Sequence, residues 1–506
     1  MPEGDISISG QEARRVARNA GAIAAARIVS SGVQVVWQLV LVSALSPDAF
    51  GIYGTAVAFV LIGTSVTNFG MGPIVIRDVA RHPQRAGKVL TATLFMQTAL
   101  GLLAYAGVNA AAALGGYSEA VRVFVAIAGV SLILDVLGNM CNDLLLAQER
   151  MVASAALTIA HIITMVILAG IGLAAGYGLF GVYAGTLTAS LLRTLAAWAL
   201  VLRGGTHPVW PFDRGTAWPL LLNGAPLALA AFLYLAYQQI DKLLTNRILG
   251  DADTGYLAFA FFVVFALVEL LNTTILTATF PLLSRAHDDS NRELFGFIVQ
   301  KLAFFTVIIV LPITLTLTVF TGDVIGWFAF LEKYRPAGEV LRVLAWYALA
   351  TMLVAVLSQG LTVQNRQRRT LGIRAAGLAV NVALLIALLP TLGVPGAAVA
   401  AVCAEALSLA LLAVAFRAEG WDWRRLAPRL LRLALLGAVI FVVMLALRGV
   451  HPLAGMVVGL AAYAGGVFAL RILAPDDLDL LYRLTAALPG GTFIRRYWKR
   501  DVVVNW

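Results

Sequence analysis

The chain has 506 residues, 60% of them apolar and only 13% charged, with a formal net charge of +10 and a mean hydropathy of +0.87. Soluble domains are roughly 45–50% apolar and about 25% charged, and no stretch of this chain has that composition. A secreted domain, a cytosolic enzyme and a disordered scaffold are therefore excluded, and a polytopic membrane protein is expected.

A hydrocarbon core about 30 Å thick asks for roughly 20 apolar residues in a helix. Fourteen such segments follow one another: about 20–44, 52–72, 88–114, 120–147, 152–175, 179–202, 217–246, 255–283, 299–330, 338–362, 371–391, 395–416, 428–448 and 452–474. The first run is too long for a signal-peptide core and has no clear A-x-A site, so it is read as a retained span. The tail from Asp476 to Trp506 opens on an amphipathic stretch (Leu478, Leu481, Tyr482, Leu484) and ends basic and aromatic, as an interfacial segment does.

Charge sets the expected orientation. With the N-terminus in the cytoplasm, most Lys and Arg fall inside, among them Arg77, Arg81, Arg85, Arg366, Arg368, Arg369, Arg495, Arg496 and Lys499. Only Arg122, Arg247, Lys333, Arg335, Arg342 and Arg448 fall outside, while Arg27, Arg193 and Lys242 lie within spans. That asymmetry is the positive-inside rule. It assigns both termini to the cytoplasm and the surplus charge to an anionic inner leaflet, with no nucleic-acid partner.

The first twelve spans read as a duplication. Gly-Ile-Tyr at 51–53 opens span 2 and Gly255-Tyr256 opens span 8; Gln148-Glu149-Arg150 closes span 4 and Gln364-Asn365-Arg366 closes span 10. Gly178 to Gly181 joins spans 5 and 6, and Gly393 to Gly396 joins spans 11 and 12; the offsets are 203, 216 and 215 residues. The expected fold class is thus an all-α polytopic membrane protein with 14 transmembrane helices, in two six-helix lobes with pseudo-two-fold symmetry plus two extra C-terminal helices. The expected divisions are an N-lobe over 1–212, a C-lobe over 213–420, and the last two spans with the basic tail over 421–506.

Several local patterns carry a family resemblance: Ser46-Pro-Asp-Ala-Phe-Gly-Ile-Tyr-Gly54, Ile76-Arg-Asp-Val-Ala-Arg81, Gln239-Ile-Asp241 with Gly255-Tyr256, and Asn381 with Gly396-Ala-Ala398. With the 6+6+2 organisation, the chain over about residues 12–420 resembles the multidrug/oligosaccharidyl-lipid/polysaccharide exporter superfamily, in its Wzx-type polysaccharide flippase branch. The resemblance implies export of lipid-linked sugars across the bacterial inner membrane by alternating access.

Polar groups inside spans are the candidates for function. A charge near the bilayer centre costs at least ~2.5–3.5 kcal/mol. Span 4 carries Asp135, Asn139, Asn142 and Asp143 on one helical face; span 8 carries Glu269, Asn272, Thr273 and Thr277; span 1 carries Arg27, Gln34 and Gln38. Three polar stripes on apolar helices argue for a wet cavity. His161, Arg193, Asn223, Asp241, Lys242, Asn381 and Glu405 are single polar residues in other spans. For Arg27, snorkelling to the headgroups and cavity lining both stand; for Arg193, an ion pair with Asp135 or Asp143 competes with substrate binding. Any single Asn or Gln is as well explained as interhelical glue.

The leading reading is a flippase for an undecaprenyl-diphosphate-linked oligosaccharide or polysaccharide precursor. Arg27 and Arg193 face the phosphates in it, Gln34, Gln38, Asn139 and Asn142 the sugars. The alternatives are an ion-coupled drug or cation antiporter of the same superfamily, which acids such as Asp135, Asp143, Glu269 and Glu405 would suit, and a peptidoglycan-precursor flippase. Those four acids are also the expected ion-coupling set, Glu269 and Glu405 foremost because no cation lies near them in sequence. No catalytic residue, metal or cofactor is expected beyond an H⁺ or Na⁺ coupling ion. The expected partners are the lipid-linked glycan, membrane lipids and glycan-assembly machinery. A membrane polymerase or ligase is disfavoured because every external loop is short.

Overall fold

The computed structural model describes residues 10–288, 292–416, 423–473 and 477. For residues 10–20, 22–24, 270, 272–282, 284–288, 292–294 and 423–425 the description covers the backbone only. The side chains of Asn272, Thr273 and Thr277, and the expected amphipathic tail beyond Asp477, therefore lie outside the described residues.

The described chain is helical throughout, with no strand. The helices are α1 (Gly10–Ala44), α2 (Pro47–Asn68), α3 (Met71–Arg81), α4 (Ala86–Leu114), α5 (Glu119–Ala147), α6 (Met151–Ala174), α7 (Gly178–Arg203) and α8 (Arg214–Leu249). They continue as α9 (Asp251–Asp288), α10 (Arg292–Trp327), α11 (Ala337–Val363), α12 (Gln367–Leu392), α13 (Val394–Phe416), α14 (Trp423–Arg448) and α15 (Pro452–Ala469). Among the described residues 14 stretches are long and apolar enough to cross a membrane, α2 and α3 counting together.

Caps start several of these helices where apolar runs begin. Ser46 accepts from the Ala49 N–H at 3.3 Å ahead of Pro47, and Ser118 accepts from the Val121 N–H at 3.2 Å. Such caps satisfy N–H groups that lack an intrahelical partner. Between α2 and α3 the backbone turns through Phe69 and Gly70, both left-handed at φ 43° and 65°. The resulting α3 buries Met71, Ile74, Val75 and Val79 and turns Arg77 outward.

Contacts divide the chain into two compact units, Met1–Ala258 and Phe259–Trp506. Within the first, α4 packs on α5, α6 on α7 and α5 on α7; within the second, α10 packs on α11, α12 on α13 and α11 on α13. The duplication extends to hydrogen bonds. In the first unit Gln148, Glu149 and Arg150 N–H groups donate to the carbonyls of Leu144, Leu146 and Leu145; in the second Gln364, Asn365 and Arg366 donate to Gly360, Thr362 and Leu361. The central residue of each turn, Glu149 and Asn365, has φ 58°. α8 belongs to the first unit by packing, lying along α2, although the sequence repeat begins again at it.

Glycine permits the closest approaches. A Cβ on Gly185 of α7 would stand 2.2 Å from the Ala169 nitrogen of α6. Small residues let membrane helices pack backbone to backbone, where dispersion replaces the hydrophobic drive. α14 has two apolar faces: Leu433, Leu436, Ile440 and Met444 are buried in a cluster with Phe304, Leu311 and Leu315 of α10, while Leu431, Leu435, Val439 and Val442 are exposed. An exposed apolar stripe on a helix of this length is a lipid-facing surface.

Candidate functional site

The polar cluster of the first unit is built by α5, α6 and α7. Gly138 has no side chain to hold α7 away: a Cβ there would lie 2.8 Å from the Thr194 hydroxyl. That hydroxyl donates to the Leu134 carbonyl at 2.7 Å, clamping the two helices. The preceding residue, Arg193, is thereby turned onto the α5 stripe. Its Nη2 donates to Asn139 Oδ1, and its Nη1 lies 3.7 Å from Asp135 Oδ1. The Arg193 side chain is 16% exposed and that of Asp135 33%, so the pair is half-buried and reachable. Asp143, two turns along α5, stands against Gly72, where a Cβ would sit 2.9 Å from its Oδ2, and feels the Arg193 charge. Asn142 is half-buried on the same helix. His161 of α6 rests against the Ala189 carbonyl, within electrostatic range of Arg193 and Asp135.

The three expected α1 residues are spread along the helix. Arg27 and Gln34 are exposed, and Gln38 is half-buried with its side chain hydrogen-bonded to the Tyr53 hydroxyl. Tyr53 in turn stacks in an aromatic group with Phe50 and Tyr183. Asp241 is buried and Lys242 donates to Gln239 at 2.9 Å, so Lys242 has a partner on its own helix. Tyr237 is buried and Tyr234 is 51% exposed.

In the second unit Glu405 is fully buried, with Arg374 Nη1 at 3.2 and 3.1 Å from its two oxygens. The expectation that Glu405 lacks a cation holds along the chain but not in space. Arg374 lies three residues inside the expected span that begins at 371. The antiparallel pairing of spans 11 and 12 was the signal that could have brought the two together. Glu269 is exposed on α9. The same unit also holds Asp477, fully buried, which takes Lys301 and Arg429, and Asp323, which takes Arg448 Nε at 2.6 Å. Among the described residues no group of three His, Cys, Asp or Glu is placed to hold a metal ion, and Cys141 and Cys403 are free.

The fold is that of membrane transporters. It matches the lipid II flippase MurJ in an inward closed conformation at a TM-score of 0.68, with 15% identity, over 90% of this chain and 98% of that one. It also matches a multidrug resistance MATE family transporter of the MOP superfamily, inward-facing, at 0.60 with 16% identity, over 78% and 94%. A MOP superfamily transporter from Pyrococcus furiosus, described as having a binding pocket of reversed polarity, matches at 0.52 with 16% identity, over 80% and 96%. The all-α architecture of this chain, with 14 candidate spans among the described residues, is therefore a fold it shares with these flippase and transporter structures. By sequence, the chain belongs to the polysaccharide biosynthesis protein family, which matches residues 40–339. No curated protein sequence matches it.

Proposed function

We propose that this protein is a flippase that carries an undecaprenyl-diphosphate-linked oligosaccharide or polysaccharide precursor across the bacterial inner membrane by alternating access, with both termini cytoplasmic. It acts as a transporter, not an enzyme, and its partners are the lipid-linked glycan, membrane lipids and the glycan-assembly machinery. The observation that carries the reading is Arg193: a largely buried but accessible guanidinium at mid-span, oriented by Asn139 and Asp135, in a chain of the polysaccharide biosynthesis family. Arg is suited to phosphate because its planar fork matches two oxygens at once. Arg27 supplies a second phosphate-facing charge in this reading, and Gln34, Gln38, Asn139 and Asn142 the polar contacts to sugar. The coupling ion is H⁺ or Na⁺, handled by Asp135, Asp143, Glu269 and Glu405.

A peptidoglycan precursor is the close variant, favoured by the likeness to the lipid II flippase, and shares the same diphosphate chemistry. The two carboxylates beside Arg193 and the MATE likeness favour a second reading, a cation or drug antiporter. A deletion strain separates the two. The flippase reading expects undecaprenyl-linked oligosaccharide to accumulate on the cytoplasmic side and surface glycan to vanish. Normal surface glycan with new sensitivity to cationic dyes would assign the chain to the antiporters.

A further inference from the structure

Two arginines converge at one end of the second unit, away from the Arg193 cluster. Arg448, the last residue of α14, donates from Nε to Asp323 Oδ2 of α10 at 2.6 Å. Arg342 of α11 reaches the same place. A Cβ on Gly322 would have Arg342 Nη2 at 3.6 Å and Arg448 Nη2 at 3.8 Å. Apart from the backbone of α10 and the two flanking residues, no other heavy atom of the described residues would lie within 4 Å of it. The bare side of this glycine is therefore a gap flanked by two guanidinium forks.

Like charges brought together call for an anion, and one carboxylate serves only one of them. Asp323 takes Arg448, while Arg342 Nε is buried with no hydrogen-bond partner. A guanidinium only donates and keeps its charge, so no change of protonation relieves it. An arginine near a span end can snorkel into water, as Arg335 on the same side does with its side chain 75% exposed. Arg342 is held inward instead. Glu339, one turn earlier on α11, is exposed and makes no ion pair among the described residues.

Depth and charge define what fits the gap. Trp327, Phe328 and Phe330 stand exposed where α10 ends, as in the aromatic belt of a membrane–water interface, and that is the level of lipid phosphates. Arg448 follows the exposed Leu445 by three residues and the buried Met444 by four, so it stands at the border of the two faces of α14 with its side chain 34% exposed. Two guanidiniums and one carboxylate leave one positive charge, which the single negative charge of a phosphodiester neutralises. Arginine forks match pairs of phosphate oxygens, and basic pockets between membrane helices bind lipid headgroups in this way.

We propose that Arg342 and Arg448 hold the phosphodiester of an anionic glycerophospholipid between α10, α11 and α14. The lipid fastens α14 to the helices it packs on, at the face that the charge asymmetry assigns to the periplasm. The site is independent of the flippase reading.

The test is native mass spectrometry of the purified full chain in non-ionic detergent, titrated separately with phosphatidylglycerol, phosphatidylcholine, farnesyl diphosphate and inorganic phosphate. The wild type binds one phosphatidylglycerol that phosphatidylcholine does not replace, because the choline cation restores the surplus positive charge. Arg342→Gln, which leaves the Asp323–Arg448 pair in place, weakens that lipid about tenfold, the worth of one charge-assisted contact. Gly322→Asp puts a carboxylate into the gap. It loses the same lipid and melts higher than the wild type in lipid-free detergent, a gain that a misfolded variant would not show. Arg335→Gln, at an exposed position on the same side, binds as the wild type does. Equal phosphatidylglycerol affinity in the wild type, Arg342→Gln and Gly322→Asp would overturn the proposal, as would equal binding of phosphatidylcholine. Arg342-dependent binding of farnesyl diphosphate or inorganic phosphate in preference to phosphatidylglycerol would overturn the assignment to a glycerophospholipid.

Discussion

A guanidinium at mid-span needs partners, and Arg193 has them in Asn139 and Asp135 on the facing helix. The ion pair that competes with substrate binding is therefore present, yet its long Nη1–Oδ1 separation and partial exposure leave the fork available to a stronger anion. Arg193→Ala should abolish glycan export while the protein stays in the membrane. The loss of one charge-assisted contact is about 1.5–3 kcal/mol, or ten- to a hundred-fold in affinity. Arg193→Lys should rescue partly, because a lysine offers a point charge without the fork; full export by Arg193→Ala would remove the residue from the site. Glu405 makes a contrasting case. Its removal strands Arg374, and a buried pair broken from one side costs about 3–5 kcal/mol. Glu405→Ala should therefore lower the melting temperature sharply and Glu269→Ala, at an exposed position, little; equal shifts would contradict the buried pairing. The α5 stripe was legible in sequence because acids and amides three and four residues apart must share a face. The pairing of Arg374 with Glu405 was not, since it joins two helices through tertiary packing.

Elements carry a second set of constraints, strongest where α2 begins. A Cβ on Gly51 would lie 1.8 Å from the Asp251 carbonyl oxygen, and one on Gly255 would lie 2.0 Å from that of Pro47. The two contacts are reciprocal under the sequence repeat, so the first turns of α2 and α9 meet as a local two-fold, and the Gly-Tyr pattern that marks both span starts has a steric cause. Gly51→Val and Gly255→Val should each force these helix ends apart, with a stability loss at the upper end of the 1–3 kcal/mol typical of overpacking. Wild-type thermal stability in both would contradict the contact. The break before α3 is equally dependent on glycine. A side chain at Gly70, in left-handed backbone, would stand 2.5 Å from Leu227 Cβ and 2.7 Å from the Gly224 carbonyl oxygen of α8. Hydropathy alone runs through this break, because α3 is apolar on its buried face and the predicted span ends only at residue 72. The separate helix is visible only from the backbone.

At the scale of the whole molecule, composition and period were enough for the fold class: apolar runs of helical length need no tertiary information to be recognised. The repeat was legible too, through short turn motifs whose hydrogen bonds now superpose in kind. The boundary between packing units was not, because it falls inside α9 and depends on which helices α8 lies against. The charge asymmetry predicts the topology. Reporter fusions after Tyr177 and after Gly393 should read periplasmic and one after Arg369 cytoplasmic, and a reversed signal at any of the three would contradict the assignment. The central claim is that the purified chain moves a lipid-linked diphosphate sugar across a bilayer. The direct measurement is protection of a polyprenyl-diphosphate-linked oligosaccharide in proteoliposomes from a membrane-impermeant oxidant. Wild-type protein should expose the protected inner-leaflet pool and Arg193→Ala should leave it protected. An inner pool that stays protected with active wild-type protein present, or that becomes exposed equally with Arg193→Ala, would contradict the account.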